Sequence, residues 1–112
     1  MITINVKREN AGSSVIREVA ISGHALYDDY GKDIVCAAVS AVSINLMNAV
    51  EALVGIPLKT EQGDGLLVCY VPELQESQSS EQVQLLLETM VFSLKSIAEE
   101  YPSFVTITER VN

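Results

Sequence analysis

The amino-acid sequence predicts an α+β fold in the order ββαββαβ, with two long helices packed against a largely antiparallel five-stranded sheet. Three observations carry that expectation. Apolar residues alternate with polar ones over the first seven positions; glycine-bearing turns punctuate two pairs of strand-like segments; and two apolar stretches are too long for strands. At 112 residues the chain fits one domain, 1–112. Folding at that size buries roughly two thirds of the surface that the unfolded chain exposes.

Ile2, Ile4 and Val6 alternate with Thr3, Asn5 and Lys7, which puts the apolar side chains on one face of a first strand. Glu9 to Ser14, with Asn10 and Gly12, reads as a hairpin loop, and Val15 to Ser22 as a second strand running into Gly23, His24 and Ala25. From Asp33 to about Val54 the chain is apolar on nearly every side and ends at Gly55, with Pro57 beyond, as a buried helix does. Its polar residues Ser40, Ser43, Asn48 and Glu51 fall on the side that carries Asp33 and Cys36, while Ala37, Ala38 and Ala41 permit close backbone approach.

Leu58 to Gln62 and Leu66 to Val71 flank Gly63-Asp64-Gly65 and read as a second hairpin. Glu73 to Ser80 is a polar loop, and Ser79 followed by Gln82 resembles a capping box at a helix start. Val83, Leu86, Leu87, Met90, Val91, Leu94, Ile97 and Ala98 recur at helical spacing up to Pro102, and Phe104 to Glu109 makes the last strand. The first helix has more apolar surface than one sheet face covers, so a homodimer interface is expected there.

Composition narrows the function. Seven Lys and Arg against fifteen Asp and Glu give a formal net charge of -8, which argues against direct binding of nucleic acid and suits a basic protein or peptide partner. No run of apolar residues approaches the ~20 needed to span a bilayer, and no basic-then-apolar leader opens the chain, so no membrane association is expected and the cytoplasm is the expected compartment. Two cysteines, Cys36 and Cys69, are too few for a disulfide framework and are expected as reduced thiols.

The chemistry-bearing pair is His24, the chain's one histidine, at a strand end, and Cys36 in the first turn of a helix. The polar loop between them, with Tyr27, Asp28, Asp29, Tyr30, Gly31 and Lys32, is long enough to bring its ends together. A helix start stabilises a thiolate through the aligned dipole and unpaired N–H groups, and Asp33 is a natural N-cap for the N–H of Val35 or Cys36. An adjacent imidazole takes the thiol proton and returns it to a leaving amine. The Cys36 N–H is the leading oxyanion donor unless Asp33 occupies it, and Ser40, one turn on, supports the site. Other readings of the same residues stay open: Cys36 as a small core hydrophobe, a zinc site of His24, Cys36 and Cys69 without the usual ligand spacing, or a redox pair with Cys69 as resolving thiol. Tyr27 and Tyr30 are candidates for lining a substrate pocket, and Asp28 and Asp29 for orienting the imidazole or meeting a basic substrate.

The run Gly23-His24-Ala25, then Gly31-Lys32-Asp33-Ile34-Val35-Cys36-Ala37-Ala38-Val39-Ser40-Ala41, resembles the signature of the Prp family of ribosomal-processing cysteine proteases, with no departure within it. Length, element order and acidic character extend the likeness over essentially the whole chain. The resemblance implies a cytoplasmic, usually homodimeric endopeptidase without cofactor or metal that removes a short N-terminal extension from large-subunit ribosomal protein twenty-seven. It makes Cys36 the nucleophile and His24 the general base, gives Asp33 and Ser40 supporting roles, and implies a loop between His24 and Cys36 that moves on substrate binding. The extension it implies ends in an apolar, Phe-containing sequence, which calls for a hydrophobic pocket beside the thiol. The alternative kept beside it is a non-catalytic ribosome-assembly or interaction module with Cys36 as inert core.

Overall fold

The structure is a computed structural model that describes residues 1–12 and 14–111. Strands β1 (Ile2–Arg8), β2 (Ile16–Gly23), β3 (Lys59–Gly63), β4 (Leu66–Tyr70) and β5 (Val105–Val111) form one sheet in the order β3-β4-β2-β1-β5. Helices α1 (Ile34–Ala49) and α2 (Ser77–Glu100) complete the expected ββαββαβ order. Only the β1–β5 pair is parallel. Of the first hairpin loop, Ser13 lies outside the described residues.

Directly opposed residues share a face of the sheet, so the register fixes the core. Ile107, Ile4, Ile21 and Leu67 form one row across four strands, and Val6, Val19 and Cys69 a second across three. Both rows face the helices. On the other face Lys7 pairs with Glu18 at 3.4 Å, and the Thr108 hydroxyl donates to Asn5 Oδ1 at 2.6 Å. Helix α2 turns Val83, Leu87, Met90, Val91 and Leu94 into the core. Arg8 ties it to the sheet by bonding Glu88 of α2 at 2.8 Å and Glu109 of β5 at 2.7 Å.

Helix α1 buries Val35, Val39, Ser43 and Met47, packs chiefly on α2, and touches the strands only lightly. It therefore stands off from the β4 half of the sheet and leaves a cavity between them. A π-helical turn, Val50–Val54, prolongs it to Gly55, whose φ of 81° closes the helix with its N–H on the Glu51 carbonyl.

Three sequence-level expectations change. The continuous helical stretch Ile34–Val54 has 21 residues and a mean hydropathy of 1.6, so by length and composition alone it matches a membrane span, contrary to the reading that no stretch approaches that size. Here one side of it packs on α2, while Ile34, Ile44 and Leu53 stay exposed, so the helix is less buried than its composition suggested. Ser43, two turns from Cys36 on the same side, is 1% exposed, and its hydroxyl donates to the Val39 carbonyl at 2.6 Å, which satisfies it there. Helix α2 starts at Ser77, capped by Glu76 rather than Ser79, because the longer carboxylate reaches two orphan N–H groups at once, those of Gln78 and Ser79.

Strand β2 ends at Gly23, where φ is 88° and an added Cβ would lie 2.3 Å from the Met1 carbonyl oxygen. Gly55 has a similar φ but open space around it. Gly55→Ala is expected to lose about 1–2 kcal/mol, the cost of a left-handed L-residue, and Gly23→Ala measurably more, in urea denaturation monitored by circular dichroism.

Candidate active site

Asp33 organises the start of α1. Its backbone is extended, at φ -83° and ψ 99°, and its Oδ1 accepts the N–H groups of Val35 and Cys36, each at 3.0 Å. Its Oδ2 accepts the Tyr27 N–H at 3.0 Å, and its carbonyl accepts the Ala37 N–H. One side chain thus caps the helix and pins the loop that precedes it. Burial pushes the carboxyl pKa up, but the hydrogen bonds from Cys36 and Tyr27 outweigh it and hold Asp33 below the usual aspartate value.

Cys36, at the third helical position, is partly buried, and its Sγ accepts the Ala25 N–H at 3.3 Å. The backbone reaches that point by a sharp exit from β2. Gly23 donates its N–H to Gly65 at 2.8 Å, Ala25 is 2% exposed, and Leu26 adopts a left-handed φ of 56°, uncommon for a residue with a bulky side chain.

His24 sits on the β3–β4 turn. Its Nε2 would lie 2.9 Å from a Cβ at Gly65, so only glycine leaves room for the ring, and Nε2 is 3.6 Å from Asp64 Oδ1. His24 and Cys36 line the same cavity of about 920 Å³. Among the described residues no hydrogen bond joins the imidazole to Sγ; the ring faces Asp64 while the sulfur faces Ala25.

Tyr30 and Ser40 also line the cavity, as do Asp28 and Asp33. Tyr27 is not part of the lining: its ring packs edge-on against Tyr101 and Phe104, at centroid distances of 5.7 and 5.1 Å, and so anchors the loop to the end of α2 and the approach to β5. Nothing in the sequence pointed to the wall made by Ile44 of α1 and Leu66 and Leu67 of β4. It marked Gly63-Asp64-Gly65 as a turn but not as the seat of His24, since that needs β4 to lie beside β2.

A helix-start thiol, an imidazole on the same cavity and a tethered loop between them are the parts of a thiol hydrolase. The sequence model of the family described as cysteine protease Prp matches residues 1–106. The chain belongs to the Prp family of cysteine proteases. It is 30% identical to the ribosomal processing cysteine protease Prp of Bacillus subtilis over 99% of both chains, and 33% identical to that of Staphylococcus aureus over 90% of this chain and 92% of the other. In fold it matches the crystal structure of an essential ribosomal processing protease Prp from Staphylococcus aureus with a covalently linked product peptide. That match has a TM-score of 0.86 and 30% identity, covering 97% of this chain and 99% of that one. A structure from Streptococcus mutans aligns with a TM-score of 0.79 and 35% identity over 100% of this chain and 96% of its own. As a Prp-family member this protein is a cysteine endopeptidase, which sets aside the non-catalytic module.

The second thiol is of a different kind. Cys69 is fully buried in β4 opposite Val19, and burial pushes its pKa up to about 11, against a lowering bond from the Val19 backbone. Among the described residues no three His, Cys, Asp or Glu side chains are grouped closely enough to hold a metal ion, so His24, Cys36 and Cys69 do not form a zinc site.

Iodoacetamide at pH 7 is expected to label Cys36 and to leave Cys69 unmodified in the folded protein, read by peptide mass mapping. Asp33→Ala is expected to cost about 1 kcal/mol at pH 7, the usual value of an N-cap. The sign of its pH dependence follows from a depressed carboxyl pKa. Asp33 contributes stability fully above the ordinary value of 3.8, and that contribution is lost as the pH falls through the lower folded-state value. Urea denaturation is expected to show the gap between wild type and variant closing only below that range.

Proposed function

We propose that this protein removes the N-terminal extension of large-subunit ribosomal protein twenty-seven, with Cys36 as nucleophile and His24 as general base. The observation that carries the reading is the opening of Cys36 Sγ, at a capped helix start, and of His24 onto one cavity. It is supported by the relatives named ribosomal processing cysteine proteases and by the Staphylococcus aureus enzyme solved with a substrate peptide, with a TM-score of 0.80 and 30% identity.

The imidazole swings from Asp64 toward the sulfur and takes the Sγ proton. The thiolate adds to the scissile carbonyl carbon; the C–N bond then breaks as the imidazolium gives its proton to the departing amine, leaving a thioester. Water, deprotonated by His24, adds to the thioester, and the C–S bond breaks to release the extension as a carboxylate and to restore the thiol. Ile21, Val39, Ile44, Leu66 and Leu67 give the cavity an apolar wall suited to an apolar, Phe-containing extension. The net charge of -8 favours encounter with a basic ribosomal protein more than it adds to affinity.

The same reading puts the protein in the cytoplasm, as a homodimer that covers the exposed apolar surface of the helical stretch Ile34–Val54 around Leu53, away from the cavity. Asp33 and Ser40 support the site, Asp33 through the helix cap and Ser40 from the cavity wall.

Incubation with a peptide spanning the extension junction, followed by mass spectrometry, tests the assignment. Cys36→Ala is expected to abolish cleavage and His24→Ala to slow it by about 10²–10⁴-fold. Cleavage at the wild-type rate by either variant overturns the mechanism. Failure of the wild type to cut that peptide, while it cuts another, overturns the substrate.

A further inference from the structure

Three N–H groups at the start of α1 are already engaged. Asp33 Oδ1 takes those of Val35 and Cys36, and the Asp33 carbonyl takes that of Ala37. The Cys36 N–H, which the sequence offered as the leading donor to developing negative charge, therefore has a carboxylate in its place. Another main-chain N–H is aimed at the reacting atom: Ala25 donates to Cys36 Sγ at 3.3 Å.

We propose that the main-chain amide of Ala25 is a catalytic donor, stabilising the negative charge on Cys36 Sγ once His24 has taken its proton. The inference rests on Cys36 being the nucleophile. A neutral thiol is a weak acceptor, whereas a thiolate forms a charge-assisted bond roughly twice as strong as a neutral one. The donor's advantage thus appears only as the charge appears.

The amide is held in place before the reaction, as an electrostatic catalyst requires. On its N-terminal side Gly23 is bonded to Gly65, and on its C-terminal side the Tyr27 N–H is bonded to Asp33 and the Tyr27 ring is packed on Tyr101 and Phe104. Ala25 itself is 2% exposed, which shields its N–H from competing water. Between these anchors Leu26 keeps its left-handed backbone, a strain that persists only where the surroundings impose it. The methyl side chain plays no part in the proposal, so the role is invisible to side-chain reasoning.

The test replaces Ala25 by lactic acid during chemical synthesis of the chain, which exchanges the N–H for an ester oxygen and keeps the methyl group. Iodoacetamide alkylation of Cys36 is then followed at pH 7 and at pH 10. The ester protein is expected to react at least about tenfold more slowly at pH 7, as befits loss of one bond to a charged group. At pH 10, above the ordinary cysteine value of about 8.5, it is expected to match the wild type.

Equal rates at pH 7 for the ester and the wild type overturn the proposal. So does an equal loss at both pH values, since that points to packing rather than to the N–H. Peptide cleavage is measured alongside and is expected to slow at pH 7 by about tenfold or more, as alkylation does. The alkylation readout needs no substrate, so it decides this proposal even if the substrate assignment fails.

Discussion

Asp33 is the constraint on which the rest of the site depends. Four atoms settle where the loop ends and the helix begins: its two carboxylate oxygens, its carbonyl, and the nitrogen of Tyr27 that answers it. Without the bond to Tyr27 the segment after His24 would keep the Ala25 bond to Cys36 Sγ and the packing of the Tyr27 ring on Tyr101 and Phe104, but lose its backbone tie to the helix cap. Without the bonds to Val35 and Cys36 the first turn of α1 would fray, as uncapped helix ends do, and the sulfur would move with it. A carboxylate suits the task better than a hydroxyl because its two oxygens serve two chain segments at once. The cost is that the helix start becomes a poorer anion site, since the N–H groups that face inward are filled.

The second determinant is long-range. Strand β2 delivers His24, and β4 lies beside β2, so the β3–β4 turn falls next to the imidazole. Gly65 leaves space for the ring, and Asp64 offers it a carboxylate. Helix α1 leans on α2 rather than on the sheet, and the gap that results is the cavity into which both reactive groups open. The sheet therefore has two functions: its β1–β2–β5 half is core, and its β4 side is a wall for substrate.

Local features of this arrangement were legible in the sequence because local residues cause them. Alternation in Ile2, Ile4 and Val6 marked the helix-facing side of β1, and Asp33 before Ile34 marked the helix start. The run from Gly23 to Ala41 pointed to the family. What was not legible depends on contacts between distant segments. Tyr27 could be read as a pocket residue or as loop packing, and what decides is the contact of its ring with Tyr101 and Phe104, more than seventy positions away. Ser43 stays on the side of Cys36 that its helical period gave it, but its depth there depends on α2, and a serine is buried readily by bonding its own helix. Glu76 was missed because carboxylate capping by glutamate leaves a weaker sequence signal than a serine with a glutamine three residues on.

The free protein thus holds its two reactive groups in separate partnerships, Cys36 with Ala25 and His24 with the β3–β4 turn. Neither partnership is strong enough to be a barrier. A neutral thiol accepts weakly, and the His24–Asp64 contact is long, with Asp64 open to solvent and half the imidazole exposed, so water and salt screen it. A peptide that fills the apolar cavity removes water from the same space, which weakens the ring's hydration and strengthens electrostatic interactions around the sulfur. Under the proposed mechanism, substrate binding then favours the approach of His24 to Cys36, and neither existing contact costs much to break.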